Sequence, residues 1–152
     1  MKLAEALQER ADLNAKLEQL QARLGNCCMA QEGERPPESP EALMRELNAG
    51  IDRLAWLMAA INRTNAQTVI DGETVTSLIA RKDCLKLKLS AYRNLAHNAS
   101  QVTHRARGSE IKLLPTVDVE ALQREIDSLA RELRLLDNRL QASNWSVELA
   151  ME

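Results

Sequence analysis

Leu3, Ala6, Arg10, Leu13, Leu17, Leu20 and Leu24 follow one another at alternating spacings of three and four residues. A helix turns once in 3.6 residues, so these positions form one narrow stripe, the seam of a coiled coil with a single polar member. Strands cannot use such a pattern, because their faces alternate every second residue. The same strict seam returns in Val119, Leu122, Ile126, Leu129, Leu133, Leu136 and Leu140. Between the two, Leu43, Leu47, Leu54, Leu57 and Ile61 make a third seam, which Met44, Ile51 and Met58 widen. A fourth segment carries two arcs, Leu78, Leu85, Leu89, Tyr92 and Ala96 on one side and Ala80, Cys84, Leu87, Ala91 and Leu95 on the other. With 2% aromatic residues and no Phe, the core these stripes build must be aliphatic, and the scarcity of β-formers favours helices throughout.

The expected fold is mainly α, an antiparallel four-helix bundle with coiled-coil hairpin character, in a single helical domain over residues 1–152. Helices are expected at about 2–24, 40–65, 77–102 and 118–143. Gly25-Asn26 supplies a stop for the first, since Gly and Asn tolerate the left-handed cap conformation. Ser39 and Pro40 suit the N-cap and first turn of the second, and Thr116 or Asp118 caps the fourth. Val69-Ile70, Asp71-Gly72 and Thr74 to Thr76 read as a two-residue-turn hairpin. Short strands are thus expected at about 67–76 and, ahead of Pro115, at about 110–114. Trp145 is expected to pin the tail.

Several function classes are disfavoured by content alone. The longest apolar run, Leu54 to Ile61, is far short of the roughly 20 residues that span a bilayer. Charges from Lys2 to Asp12 interrupt any secretory apolar region. Cys27, Cys28 and Cys84 form no C-x-x-C pair, which argues against a disulfide framework or a zinc site and for a reducing cytoplasm. His97 and His104 stand two helical turns apart, too far for a shared ion. No phosphate loop, nucleophile elbow or paired catalytic carboxylates occur. No catalytic residue, cofactor or metal is therefore expected, and a non-enzyme is favoured.

Two sets of residues remain as candidates. Ile61-Asn62-Arg63-Thr64-Asn65 closes the second helical pattern with four polar residues in a row, and Arg81, Lys82 and Asp83 open the third. One short hairpin separates the two groups, so Asn62, Arg63, Thr64, Asn65, Arg81, Lys82 and Asp83 could form an anion site. The plainer expectation is that they end a helix, with Arg63 paired to Asp83 and the Asn and Thr side chains satisfying backbone groups. The second set is apolar. Trp56 projects almost opposite Leu54 and Met58, grouped with Ala49 and Ala60. Together with Leu87, Ala91 and Leu95 it marks the expected subunit interface, because the second and third helices offer more apolar surface than one copy can cover.

Charge is uneven. Formal charges are −4 over residues 1–76, +6 over 77–114 and −4 over 115–152. Lys86, Lys88, Arg93, Arg105, Arg107 and Lys112 make the basic middle available to phosphates. Nucleic-acid or anionic-ligand binding through 77–114 is the alternative this leaves open. It is not favoured, since stacking aromatics are nearly absent and the acidic flanks can neutralise the middle.

The segments KLAEALQERADL at the start, INRTN, ARKD at Ala80 to Asp83, SEIKLLPTVDV at 109–119 and LDNRLQASNW resemble the septicolysin-like family of small bacterial helical proteins. They are spread over nearly the whole chain. The resemblance implies a helical fold of no established activity and carries over no catalytic or binding residue. This sequence departs from what a cytolysin name suggests, having neither a secretion signal nor a membrane-length segment. The expected function is that of a cytoplasmic, homo-oligomeric structural or protein-interaction module.

Overall fold

The computed structural model describes residues 1–101 and 113–150. It is mainly α with one small β element, in the order α1 (Leu3–Cys27), α2 (Pro40–Gln67), β1 (Val69–Ile70), β2 (Glu73–Thr74), α3 (Val75–Ser100) and α4 (Val119–Ser146). The chain divides into two compact units, one formed by 1–74 with 143–152 and the other by 75–142.

In the first unit α1 and α2 form an antiparallel hairpin. Their seams meet in two clusters. Leu17, Leu20, Cys27 and Leu43 pack with Leu24, Leu47 and Leu54 near the loop. Leu3, Ala6, Leu57, Ala60, Ile61 and Leu149 pack with Leu7, Leu13, Trp56 and Val147 at the open end. Small residues let the backbones approach: a methyl group added at Gly50 would lie 2.9 Å from Leu17 Cδ2. Outside the seam, Glu9–Arg53 (2.6 Å), Lys16–Glu46 (2.7 Å) and Arg23–Glu38 step down the hairpin as ion pairs. These exposed pairs fix register more than they stabilise, each being worth about 0–1 kcal/mol.

The helix ends follow local chemistry. Ser39 Oγ accepts from the Ala42 N–H, with Pro40 in the first turn of α2. Asp118 Oδ1 accepts from the Ala121 N–H at 2.9 Å, so Asp118 rather than Thr116 caps α4. The expected stop at Gly25-Asn26 is not used. Helix α1 runs on to Cys27, whose side chain is buried. The apolar contact available to Cys27 outweighs the modest helix penalty of one glycine, about 1 kcal/mol. Helix α2 likewise passes through Asn65 to Gln67, where the Thr68 N–H caps Thr64 O.

The hairpin pairs Val69 with Thr74 and Ile70 with Glu73. Asp71 (φ 51°) and Gly72 (φ 88°) both take the left-handed conformation that a two-residue turn of this hand requires. Leu113 and Leu114 carry no strand among the described residues. The rest of the strand expected at 110–114, the end of the helix expected at 102, and His104, Arg105, Arg107 and Lys112 lie outside them.

The last turn of α4 and the tail close the first unit. Lys2 and Glu148 form an isolated antiparallel bridge, with the Leu3 N–H donating to Val147 O (3.0 Å) and the Leu149 N–H to Met1 O (2.9 Å). Lys2 Nζ meets Glu148 Oε1 at 2.7 Å. Trp145 is not the pin: it is 66% exposed, and Leu149 at 5% takes that place.

In the second unit α3 and α4 pack antiparallel through Leu89, Ala96, Ile126 and Leu129, joined by Leu85, Tyr92, Leu122, Ala130 and Leu133. This is the first arc of α3 meeting the seam of α4. The second arc is not used: Leu87 is 72% and Leu95 44% exposed.

Candidate functional site

The α3–α4 hairpin brings four cations to one groove. Lys82, Lys86 and Arg93 lie at i, i+4 and i+11 on α3, one line beside the Leu89 seam, and Arg134 faces them from α4. With Asp137 they border a groove of about 380 Å³ whose apolar lining is Leu89, Ala130 and Leu133. A second hollow of about 370 Å³ continues from Arg93 past His97 and Ser100 on α3 and Gln123 and Asp127 on α4. The antiparallel register is what places residues near 134–137 opposite 82–86.

Lys82 donates to Asp137 Oδ1 across the groove. That hydrogen bond, aided by the positive charges of Lys82 and Lys86, holds the Asp137 carboxyl below the usual range against a smaller opposing effect of burial. Lys86, Arg93 and Arg134 make no ion pair or hydrogen bond among the described residues. On the same two helices Lys88 lies 5.4 Å from the Tyr92 ring, and Arg124 pairs with Glu120. The groove thus keeps unneutralised positive charge beside apolar surface, which suits an anionic group attached to something hydrophobic.

The polar cluster read from the sequence has members in each of the two units. Asn62, Arg63, Thr64 and Asn65 belong to the first unit, and Arg81, Lys82 and Asp83 to the second. Within the first group Thr64 carries the bonding. It is 2% exposed, its hydroxyl donates to Ala60 O (2.8 Å) and accepts from the Ala150 N–H (2.9 Å). Asn62 is exposed and Asn65 half-buried. The buried Nε of Arg63 and Oγ of Ser143 find no partner among the described residues. INRTN therefore does not stop α2; its threonine ties down the C-terminal tail. In the second group Lys82 enters the groove, while Arg81 and Asp83 are exposed.

The apolar candidates also separate. Ala60 is fully buried inside the α1–α2 hairpin, so its surface is already covered. Trp56 is half-buried against the same cluster, with the Arg53 guanidinium 4.5 Å from its ring centroid. That guanidinium also holds Glu9 through two hydrogen bonds of 2.6 and 2.9 Å, which lowers the Glu9 pKa. Ala49, Leu87, Ala91 and Leu95 remain exposed, and so do Met44, Ile51 and Met58 on α2 and Leu135 on α4. No group of three His, Cys, Asp or Glu residues able to hold a metal occurs among the described residues. The cysteines are free thiols, Cys27 buried and Cys28 and Cys84 exposed. No helix among the described residues is long and apolar enough to cross a membrane.

Sequence reasoning singled out Lys82, Lys86 and Arg93 but missed Arg134 and Asp137. On α4 both sit among other charged residues, Arg131, Glu132 and Arg139, and only the antiparallel register with α3 sets them apart.

Residues 10–149 match the model of a family described as a family of unknown function, DUF6847. The chain belongs to DUF6847. A crystal structure of a functionally unknown conserved protein from Corynebacterium diphtheriae has the same fold, with a TM-score of 0.93 and 34% identity over 99% of each chain. A search of curated proteins gives no match. Nothing in these likenesses assigns the DUF6847 chain a ligand or a reaction.

Proposed function

We propose that this DUF6847 protein is a homo-oligomeric structural or protein-interaction module of the cytoplasm, assembled through the second arc of α3. The observation that carries the reading is that Leu87 and Leu95, in the middle and the second-last turn of a regular helix, are 72% and 44% exposed. Ala80, Cys84 and Ala91 lie on the same line and are exposed too. A helix apolar on two opposite sides needs two neighbours, and the α4 seam provides one.

The size of the effect sets what kind of assembly this is. Fully burying a Leu contributes about 1.5–3 kcal/mol, so the exposed parts of Leu87 and Leu95 from two copies contribute roughly 3.5–7 kcal/mol. Association costs about 4–15 kcal/mol in lost freedom. The stripe alone therefore supports a reversible, concentration-dependent dimer, and a tight one requires further buried surface.

No catalytic step is part of the proposal. The septicolysin-like resemblance adds neither ligand nor reacting residue to it. The test is Leu87→Glu with Leu95→Glu, both exposed positions where the single chain tolerates charge. The doubly substituted protein should elute later than the unaltered one at high concentration, with the same helical content. Identical elution at every concentration would remove the α3 stripe from the account.

A further inference from the structure

We propose that the α3–α4 groove is a docking site for an acidic amphipathic helix of a partner protein. The groove has the layout of an unfilled three-helix coil: an apolar floor from Leu89, Ala130 and Leu133, bordered by Lys82, Lys86 and Arg93 on one wall and by Arg134 and Asp137 on the other. In coiled coils the positions flanking the seam choose the partner by charge. Here the α3 wall is cationic, and on the α4 wall Asp137 is taken up by Lys82 and leaves Arg134 free to face a ligand, so the groove selects carboxylates.

Charge complementarity identifies the occupant. Lys82 is held by Asp137 of the groove itself, and Lys86, Arg93 and Arg134, side by side along the apolar floor, have no carboxylate partner among the described residues. From Lys82 to Arg93 the wall rises about 16 Å, three helical turns. A helix with acids spaced four and seven residues apart presents them in step with Lys82, Lys86 and Arg93, while its leucines cover the floor. Nucleic acid fits less well. The groove's lining has no aromatic side chain to stack on a base. A small free anion has no use for the apolar floor.

Docking here does not depend on self-assembly. Leu87 stands about 200° around α3 from Leu89, so the groove and the stripe occupy opposite sides of the helix.

The experiment uses the full chain and a labelled synthetic peptide of about 18 residues, five helical turns, with Leu at the seam positions and Glu at the flanking ones. Fluorescence anisotropy should give binding in the micromolar range. A peptide with Lys in place of each Glu should not bind. Lys86→Glu, Arg93→Glu and Arg134→Glu combined, all at exposed positions, should weaken the acidic peptide about tenfold or more and create affinity for the lysine peptide. That gain cannot come from misfolding. Leu87→Glu with Leu95→Glu should leave peptide binding unchanged, which separates this site from the assembly surface. The proposal is overturned if the acidic peptide fails to bind at about 1 mM, or if the three reversals leave it unaffected. It is overturned equally if a short DNA duplex, and not the peptide, binds and is released by the reversals with steep salt dependence.

Discussion

Replacing Thr64 by Val removes one hydroxyl and keeps the shape of the side chain. Two hydrogen bonds go with it: the one accepted from the Ala150 N–H at 2.9 Å and the one donated to Ala60 O at 2.8 Å. They are not equal. Ala60 O is a helix carbonyl that also serves the i→i−4 ladder, so its loss matters little. The Ala150 N–H is half-buried and loses its partner outright, and an unsatisfied donor of that kind costs about 1–3 kcal/mol. Partial access to water puts the expected loss in the lower half, about 1–1.5 kcal/mol. For a chain of 152 residues, that lowers the melting temperature by about 2–6 °C. The assay is thermal unfolding combined with hydrogen exchange at the Ala150 and Leu149 amides, which should lose protection first. Thr64→Ser keeps the hydroxyl and should preserve protection at Ala150; Asn62→Ala, at an exposed site, should shift stability by less than about 0.5 kcal/mol. If Thr64→Val melts with the parent and Ala150 stays protected, the tail is held by something else and the role given to INRTN is wrong.

The close approach of α1 and α2 predicts a size limit at Gly50. Gly50→Ala gains up to about 1 kcal/mol in helix propensity but places a methyl 2.9 Å from the end of Leu17; denaturant unfolding should find it within about 1 kcal/mol of the parent, since that methyl can rotate away. Gly50→Leu cannot be so accommodated and should cost about 1–3 kcal/mol. Stability should also be lost in acid. Hydrogen bonds from Arg53, Lys82 and Lys2 depress the pKa values of Glu9, Asp137 and Glu148 respectively, and a depressed carboxylate contributes stability above its unfolded value, lost as pH falls through the folded one. Melting temperature should therefore hold from neutrality to about pH 5 and drop below about pH 4, with a shallower drop in Glu9→Gln.

The seams of α1 and α4 were legible because a strict three-four spacing has a single physical solution, and Leu3, Leu17, Leu20, Ile126, Leu129, Leu136 and Leu140 are all buried. Asp71-Gly72 was legible because its backbone conformation is local. What escaped the sequence depends on partners distant along the chain. The Thr64 bond reaches a residue 86 positions away, and no periodicity announces it. Arg134 and Asp137 look like ordinary surface charges until the register of α4 sets them against Lys82 and Lys86. Trp56 was expected to face away from the core on angular grounds, but Arg53 stacks on it and folds it against the end cluster, an amphipathic contact that a helical wheel does not contain. Trp145 and Leu149 exchanged roles for a related reason, since the antiparallel bridge to Lys2 directs Leu149 inward.

The apolar surface left open on α3 is tested most directly by sedimentation equilibrium over a wide concentration range. A mass rising from 17.0 kDa toward twice that value, and held at 17.0 kDa by Leu87→Glu with Leu95→Glu, is the predicted result. A mass of 17.0 kDa at every concentration contradicts it.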